Sequence, residues 1–169
     1  MHSRWRQLTF MTSRLTKTEF DLRLKNLTRK GEPTIMGTPF AILTIFDLSG
    51  KPFYGEYNGT NFRITRNKTL PTPSGYIVKG HFSESGRKTK LDYEIKPILF
   101  SYYWIRLVPI FAFLFFNGVL LFNLKTFQWD IILTLNGFLG LMTFVALTVD
   151  KFQRRAIEER FIEEFEVES

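Results

Sequence analysis

The chain has 169 residues, a formal net charge of +7 and no cysteine, and its mean hydropathy is −0.07. The absence of cysteine excludes disulfides, thiolate chemistry and cysteine-bound metals. The near-zero mean hydropathy averages over parts of the chain that differ in charge. Residues 1–97 hold 17 basic and 8 acidic side chains, a net charge of +9. Residues 98–149 contain only three charged residues, and residues 150–169 hold 4 basic and 7 acidic ones, a net charge of −3.

A helix start is predicted near the beginning of the basic part. Thr16 and Glu19 have the spacing of a capping box, in which each side chain binds the other residue's backbone N–H. Phe20, Leu24 and Leu27 then fall on one helical face. Gly31 and Pro33 are expected to end this helix.

Five strands are predicted after this helix, separated by turn residues. Asn58-Gly59 joins two short alternating runs and is a strong hairpin signal. The pattern predicts an α+β fold in which one N-terminal helix and a small antiparallel β domain occupy residues 1–97. The predicted strands are Thr38–Asp47, Pro52–Tyr57, Asn61–Thr65, Gly75–Ser83 and Lys90–Lys96.

The stretch "KPFYGEYNGTNFRITRN", followed by a glycine-containing strand and "TKLDYEIKP", resembles small uncharacterised bacterial membrane proteins with a β-rich cytosolic domain and two transmembrane helices. The resemblance covers residues 50–110 and rests on turn glycines and core aromatic residues. Where we expect Asn-Ser-Phe-x-Pro in those proteins, this chain has "TLPTPSGY". The resemblance implies a β domain linked to a membrane and carries over no catalytic residue or ligand.

Two apolar runs follow, Trp104 to Phe122 and Ile131 to Val149. Each has 19 residues, close to the ~20 needed to cross a hydrocarbon core of ~30 Å. Residues 98–149 are therefore predicted to form a transmembrane helical hairpin, with spans at about 102–122 and 130–149. The alternative is a very apolar helical hairpin in a soluble protein.

The orientation of the predicted hairpin follows from its flanking charges. Lys and Arg are frequent before the first span and after the second, whereas the connection contains Lys125 alone. Cytoplasmic loops carry the excess of Lys and Arg, so both termini are expected in the cytoplasm, with the protein in the inner membrane. The residues expected at the membrane interfaces are Trp104, Arg106, Trp129, Lys151, Arg154 and Arg155.

Asn-Gly also occurs twice inside the apolar runs, at residues 117–118 and 136–137. A turn within lipid would leave backbone polar groups unpaired, so helix is favoured over turn here. Both asparagines lie roughly 10 Å below the outer end of the hairpin at ~1.5 Å rise per residue. Helix packing is the preferred interpretation, and a polar site for an ion, a quinone or a partner helix is the alternative. The predicted helix–helix packing residues are Asn117, Gly118, Asn136, Gly137 and Gly140.

No motif in the sequence predicts catalysis, a cofactor or a metal site. His81 is expected to be an exposed strand residue, without a second ligand at metal spacing. Asp92 and Glu94 share one strand face and are expected to pair with Arg63 or Lys79 across the sheet. The basic part has no aromatic platform for bases, so membrane lipids rather than nucleic acid are its expected partners.

Residues 150–169 are predicted to form an acidic, amphipathic, cytosolic tail helix. Ile157, Phe161 and Phe165 form one apolar stripe with spacing i, i+4, i+8. The stripe is expected to dock either on the chain's own β domain or on a protein partner.

The sequence therefore favours a non-catalytic integral inner-membrane protein that serves as an accessory, scaffold or regulatory subunit of a membrane assembly. A protein partner would bind, or a homo-oligomer would form, through the hairpin and the tail. The alternative is a membrane-anchored sensor, in which the β module binds a ligand or a lipid.

Overall fold

A computed structural model of the protein describes residues 9–40, 50–67, 75–123 and 129–168. The chain divides into two compact units. Unit 1 contains Met1–Ser101 together with Gln153–Ser169, and unit 2 contains Tyr102–Phe152. The fold class is α+β, as predicted, with one mixed sheet and three α-helices among the described residues, two of which are long and apolar.

The elements of unit 1 alternate between short strands and helices before a four-strand meander. Helix α3 begins in unit 2 and continues into unit 1, where its end is followed by the last strand. In chain order the elements are β1 (Thr9–Ser13), α1 (Lys17–Leu27), β2 (Thr28–Lys30), a 3-10 helix (Pro33–Gly37), β3 (Phe53–Asn58), β4 (Asn61–Arg66), β5 (Tyr76–Ser85), β6 (Lys88–Pro97), α2 (Leu99–Asn123), α3 (Trp129–Glu164) and β7 (Val167–Glu168).

The described strands form one sheet in the order β2-β3-β4-β5-β6-β1-β7. Every neighbouring pair is antiparallel except β2 and β3, which are parallel. The prediction of a purely antiparallel domain is therefore wrong at this edge. Strand β2 has three residues, too few to show an alternating pattern, and its pairing is set by contacts distant in sequence.

The capping box of α1 is confirmed. The Thr16 hydroxyl accepts from the backbone N–H of Glu19, and the Glu19 carboxylate accepts from the backbone N–H of Thr16 at 2.9 Å. This second hydrogen bond lowers the pKa of the Glu19 carboxyl. The predicted end of the helix is four residues late, because the chain becomes extended at Thr28 to pair with β3.

The hairpin at Asn58-Gly59 is confirmed. The Asn58 side-chain oxygen accepts from the backbone N–H of Asn61 at 3.0 Å, and Gly59 has a φ of 50°, which glycine adopts without steric cost. The strand predicted to begin at Thr38 is not seen at residues 38–40, where Thr38 caps the 3-10 helix. Residues 41–49 of that predicted strand lie outside the described residues.

The core of unit 1 lies on one face of the sheet, here called the inner face. Phe62, Val78, Phe82 and Leu91 of the strands are at most 1% exposed, and Phe20 and Leu24 of α1 cover them. Gly80 lies in this face directly opposite Phe62, and a Cβ added there would come within 2.5 Å of the Phe62 ring. The glycine therefore makes room for a core aromatic residue.

Helix α3 continues without a break past the predicted end of the second span. The prediction separates residues 150–169 from the β domain. In the structure, residues 153–169 belong to the same compact unit as residues 1–101.

Candidate functional site

The apolar helices of unit 2 expose their side chains. Within the most apolar 18-residue window of α2 and of α3, no residue is buried. Large side chains such as Phe111, Phe115, Leu133 and Phe144 are each at least 65% exposed. Both helices are long and apolar enough to cross a membrane, and this composition with this exposure suggests membrane association.

Two polar side chains link the helices within unit 2. Asn117 donates from Nδ2 to Oδ1 of Asn136 at 2.8 Å, and Asn136 donates from Nδ2 to Oδ1 of Asn117 at 3.0 Å. Each Nδ2 also donates to the carbonyl four residues earlier in its own helix, Phe113 or Ile132. Because an amide has two N–H donors, both side chains have used their donors, and neither has one left for a ligand.

The neighbouring glycines do not contribute the close helix contact that the sequence predicts. A Cβ added at Gly118, Gly137 or Gly140 would meet no heavy atom within 4 Å. Successive helical residues are rotated by about 100°, so the residue after each asparagine points away from the contact that the asparagine makes. The helix contact is therefore a polar one at the asparagines, without small-residue packing at these glycines.

A second polar contact in unit 2 joins Arg106 to Asp150 at 3.2 Å. The Asp150 residue is only 4% exposed, and the Arg106 guanidinium lies over the Tyr102 ring, 3.5 Å from its centroid. The sequence analysis assigns Arg106 to the membrane interface and does not single out Asp150. The only signal for this pair was that both charges lie at the same predicted end of the two spans.

The other predicted interface residues are exposed. Trp104 and Trp129 are 58% and 63% exposed, and Lys151, Arg154 and Arg155 are exposed as well.

The apolar stripe of the tail lies in the core of unit 1. Ile157, Phe161 and Phe165 are 1%, 0% and 0% exposed. The Phe161 ring lies 5.5 Å from that of Phe62 and 5.0 Å from that of Tyr93, between ring centroids. The stripe therefore docks on the chain's own sheet and leaves no apolar surface for a partner.

Polar contacts hold the end of the tail against the edge of the sheet. The Ser13 hydroxyl donates to the Phe165 carbonyl at 2.6 Å, and Arg23 donates to Glu166 at 2.8 Å. Glu168 accepts from Lys88 at 2.7 Å and from Arg14 at 2.6 Å. These two hydrogen bonds lower the pKa of the Glu168 carboxyl to about 2. The acidic tail thus finds its counter-charges in the basic part of the same chain.

A cleft opens on the opposite face of the sheet, here called the outer face. Its volume is about 460 Å³. Its charged lining residues, Arg63, Lys79 and Lys96, are all basic. Its remaining walls come from the 3-10 helix region, from β5 and the end of β6, and from the start of α2. They consist of Thr34, Thr38, Ile77, Pro97, Ile98, Leu99 and Phe100.

The expected pairing of Arg63 or Lys79 with Asp92 or Glu94 is not seen. Arg63 pairs with Glu32 at 3.4 Å and with Glu56 at 3.5 Å, and Glu94 pairs with Lys96 at 2.5 Å. Among the described residues, Lys79 forms no ion pair. The sequence analysis did not identify this cleft, because its basic residues come from three different strands.

His81 is exposed, and its Nδ1 lies 3.1 Å from Oδ1 of Asn61. Within residues 9–40, 50–67, 75–123 and 129–168, no three His, Asp or Glu side chains form a group suited to a metal ion.

Comparison of the chain with protein-family models, with curated proteins and with solved structures finds no match. The resemblance to small membrane proteins therefore consists of the structural motifs alone. The structure and its exposed surface define the class, an α+β protein with two long apolar helices.

Proposed function

We propose that the chain is a non-catalytic integral protein of the cell inner membrane, in which α2 and α3 form a transmembrane hairpin that anchors unit 1 in the cytoplasm. In this proposal it serves as an accessory, scaffold or regulatory subunit of a larger membrane assembly. Membrane lipids and a protein partner, or a second copy of the chain, are its binding partners.

One observation carries the proposal. Unit 1 contains residues from both sides of the apolar segment, since Met1–Ser101 and Gln153–Ser169 fold together. A folded unit with a shared core cannot be divided by a bilayer. The segment from Tyr102 to Phe152 must therefore leave and return on the same side, which requires an even number of crossings. Two helices of sufficient length supply two crossings.

The exposed surface of these helices supports the same proposal. A soluble protein rarely exposes a contiguous apolar patch larger than a few hundred Å². Here both helices expose apolar side chains along their apolar windows, and lipid would remove this surface from water. The excess of Lys and Arg at the ends near unit 1 supports a cytoplasmic location for that unit.

The tail does not supply the partner contact in this proposal, because its apolar stripe is buried in unit 1. Among the described residues, most of the exposed large apolar side chains belong to α2 and α3. A partner helix would therefore bind unit 2, for example on the side of α3 that exposes Leu141, Phe144 and Val145.

The proposal is tested by membrane extraction followed by purification. The full chain should remain in the membrane fraction after alkaline carbonate washing and should require detergent for release. After mild solubilisation, a stoichiometric partner or a defined oligomer should co-purify. Release by carbonate would contradict the anchor, and a solitary chain in detergent would contradict the subunit role.

The second candidate function is a membrane-anchored sensor or ligand-binding module. The observation that favours it is the open basic cleft on the outer face of the sheet. In that case the chain would purify without a protein partner and would retain a ligand on unit 1.

A further inference from the structure

The outer face of the sheet places two cations directly opposite each other. Strand pairing sets Arg63 of β4 against Lys79 of β5, and Lys96 lies diagonally across on β6. Like charges directly opposite on neighbouring strands destabilise a sheet. Glu56 and Glu94 lie at the two ends of this cross-strand row and offset the repulsion in part.

The cations retain donors that an anion can use. Arg63 meets two carboxylates, each through one nitrogen at 3.4 to 3.5 Å, and both carboxylates are at least 39% exposed. Such exposed ion pairs contribute little, so a competing anion displaces them at small cost. Lys79 has no ion-pair partner among the described residues and keeps all three of its N–H donors, whereas Lys96 pairs with Glu94 at 2.5 Å and has two left.

The same cleft has an apolar wall. Leu99 and Phe100, at the start of α2, are 66% and 44% exposed. Only Ser101 separates Phe100 from Tyr102, where the first predicted span begins. The positive end of the α2 dipole lies in this wall and adds to the field of the three cations.

We infer that this cleft binds the phosphate of an anionic lipid headgroup. Arg63, Lys79 and Lys96 hold the phosphate, and Leu99 and Phe100 contact the glycerol and the first acyl carbons. The inference rests on the proposed membrane anchor, which would bring the lipid to the start of α2. A free phosphate ion would bind the cations but would make no contact with the apolar wall. A lipid is therefore favoured over a free ion as the source of the phosphate.

The test uses the full chain, purified in mild detergent, with equal amounts of phosphatidylglycerol and phosphatidylcholine added. Native mass spectrometry then counts the lipids retained. The variant Lys79→Gln removes the unpaired cation, and Arg87→Gln is the matched control, because Arg87 carries the same charge in an exposed turn away from the cleft. Lys79 and Arg87 are both exposed, so both variants are expected to fold.

The wild type and Arg87→Gln should each retain one phosphatidylglycerol in preference to phosphatidylcholine. Lys79→Gln should bind it about tenfold more weakly, the effect of losing one charge-assisted hydrogen bond. Equal loss in the two variants, no loss in either, or no lipid preference in the wild type would overturn the inference. Complete displacement of the lipid by millimolar inorganic phosphate would also overturn it, since the site would then be one for free phosphate.

Carbonate extraction of the same variants separates this inference from the proposed function. A chain that stays in the membrane without headgroup preference contradicts the cleft alone. A chain that carbonate releases contradicts the anchor, whatever its affinity for phosphatidylglycerol in detergent.

Discussion

The side-chain amides of Asn117 and Asn136 bind each other in both directions, with N–O distances of 2.8 and 3.0 Å. Asn117 lies on α2 and Asn136 lies on α3, and both helices are long and apolar. In lipid, an amide that lost its partner would remain without water to replace it. We therefore expect the pair to contribute to the association of the two helices.

Replacing either asparagine by leucine should weaken the association of the helices by ~0.5–2 kcal/mol, the range of hydrogen bonds between helices in membranes. The double variant should lose less than the sum of the single variants, because both remove one shared interaction. Unfolding in mixed micelles with increasing dodecyl sulfate measures these losses. Thr148→Val is the control, since the Thr148 hydroxyl donates to the Phe144 carbonyl of its own helix. Additive losses at positions 117 and 136 would show that the amides act independently.

The burial of the tail predicts a different effect in unit 1. Changing Phe161 to alanine should destabilise unit 1 by ~3–5 kcal/mol, the usual result of deleting a buried aromatic ring. Residues 153–169 should then become accessible to proteases while the chain stays in the membrane. Phe152→Ala is the matched control, because Phe152 lies on the same helix and is 64% exposed. A tail that remained protected in Phe161→Ala would indicate that the stripe does not hold it.

The glycines of the sheet and of the apolar helices should respond in opposite ways to alanine. Gly80→Ala would place a Cβ against the Phe62 ring and should cost ~1–3 kcal/mol through overpacking. Gly118→Ala meets open space and replaces glycine in a helix interior, where alanine is favoured by up to ~1 kcal/mol. Thermal unfolding in detergent compares the two. Loss of helix association in Gly118→Ala would contradict this expectation and would indicate that Gly118 packs against the other helix.

The carboxyl of Glu168 predicts a loss of stability in acid. Its pKa falls from an ordinary value of 4.5 to about 2 through Lys88 and Arg14. Because the folded pKa is the lower one, the stabilisation is complete above pH 4.5 and disappears as the pH falls towards 2. Glu168→Gln should lower the melting temperature at neutral pH and should flatten its dependence on pH between these values. Glu84→Gln, a change at an exposed strand residue, should retain the wild-type profile.

Local signals in the sequence predicted the local parts of the fold. The spacing of Thr16 and Glu19 identified a capping box, and Asn58-Gly59 identified a hairpin, because both depend on neighbouring residues only. Strands β1, β2 and β7 were missed, since each has five residues or fewer and exists through pairing with a distant strand. Polar positions within apolar runs led to Asn117 and Asn136, the two residues that bond in the structure.

The contacts that sequence reasoning missed join residues far apart in the chain. Asp150 meets Arg106 across 44 positions, and the basic cleft combines residues of β4, β5 and β6. Neither arrangement leaves a spacing that periodicity detects. Small residues in apolar helices are common at helix contacts, which is why the sequence predicts packing at the glycines after the asparagines. A Cβ added at either glycine would meet no heavy atom within 4 Å, so the structure shows no close contact there.

The most direct test of the proposed anchor is to measure on which side of the membrane each segment lies. Since the chain has no cysteine, single cysteines can be introduced by Ser85→Cys in unit 1, Glu159→Cys in the tail and Thr126→Cys between the helices. A maleimide that cannot cross membranes is then added to spheroplasts. The hairpin predicts labelling of the position 126 variant alone, with all three variants labelled after lysis. Labelling at positions 85 or 159 before lysis, or protection of position 126, would contradict it.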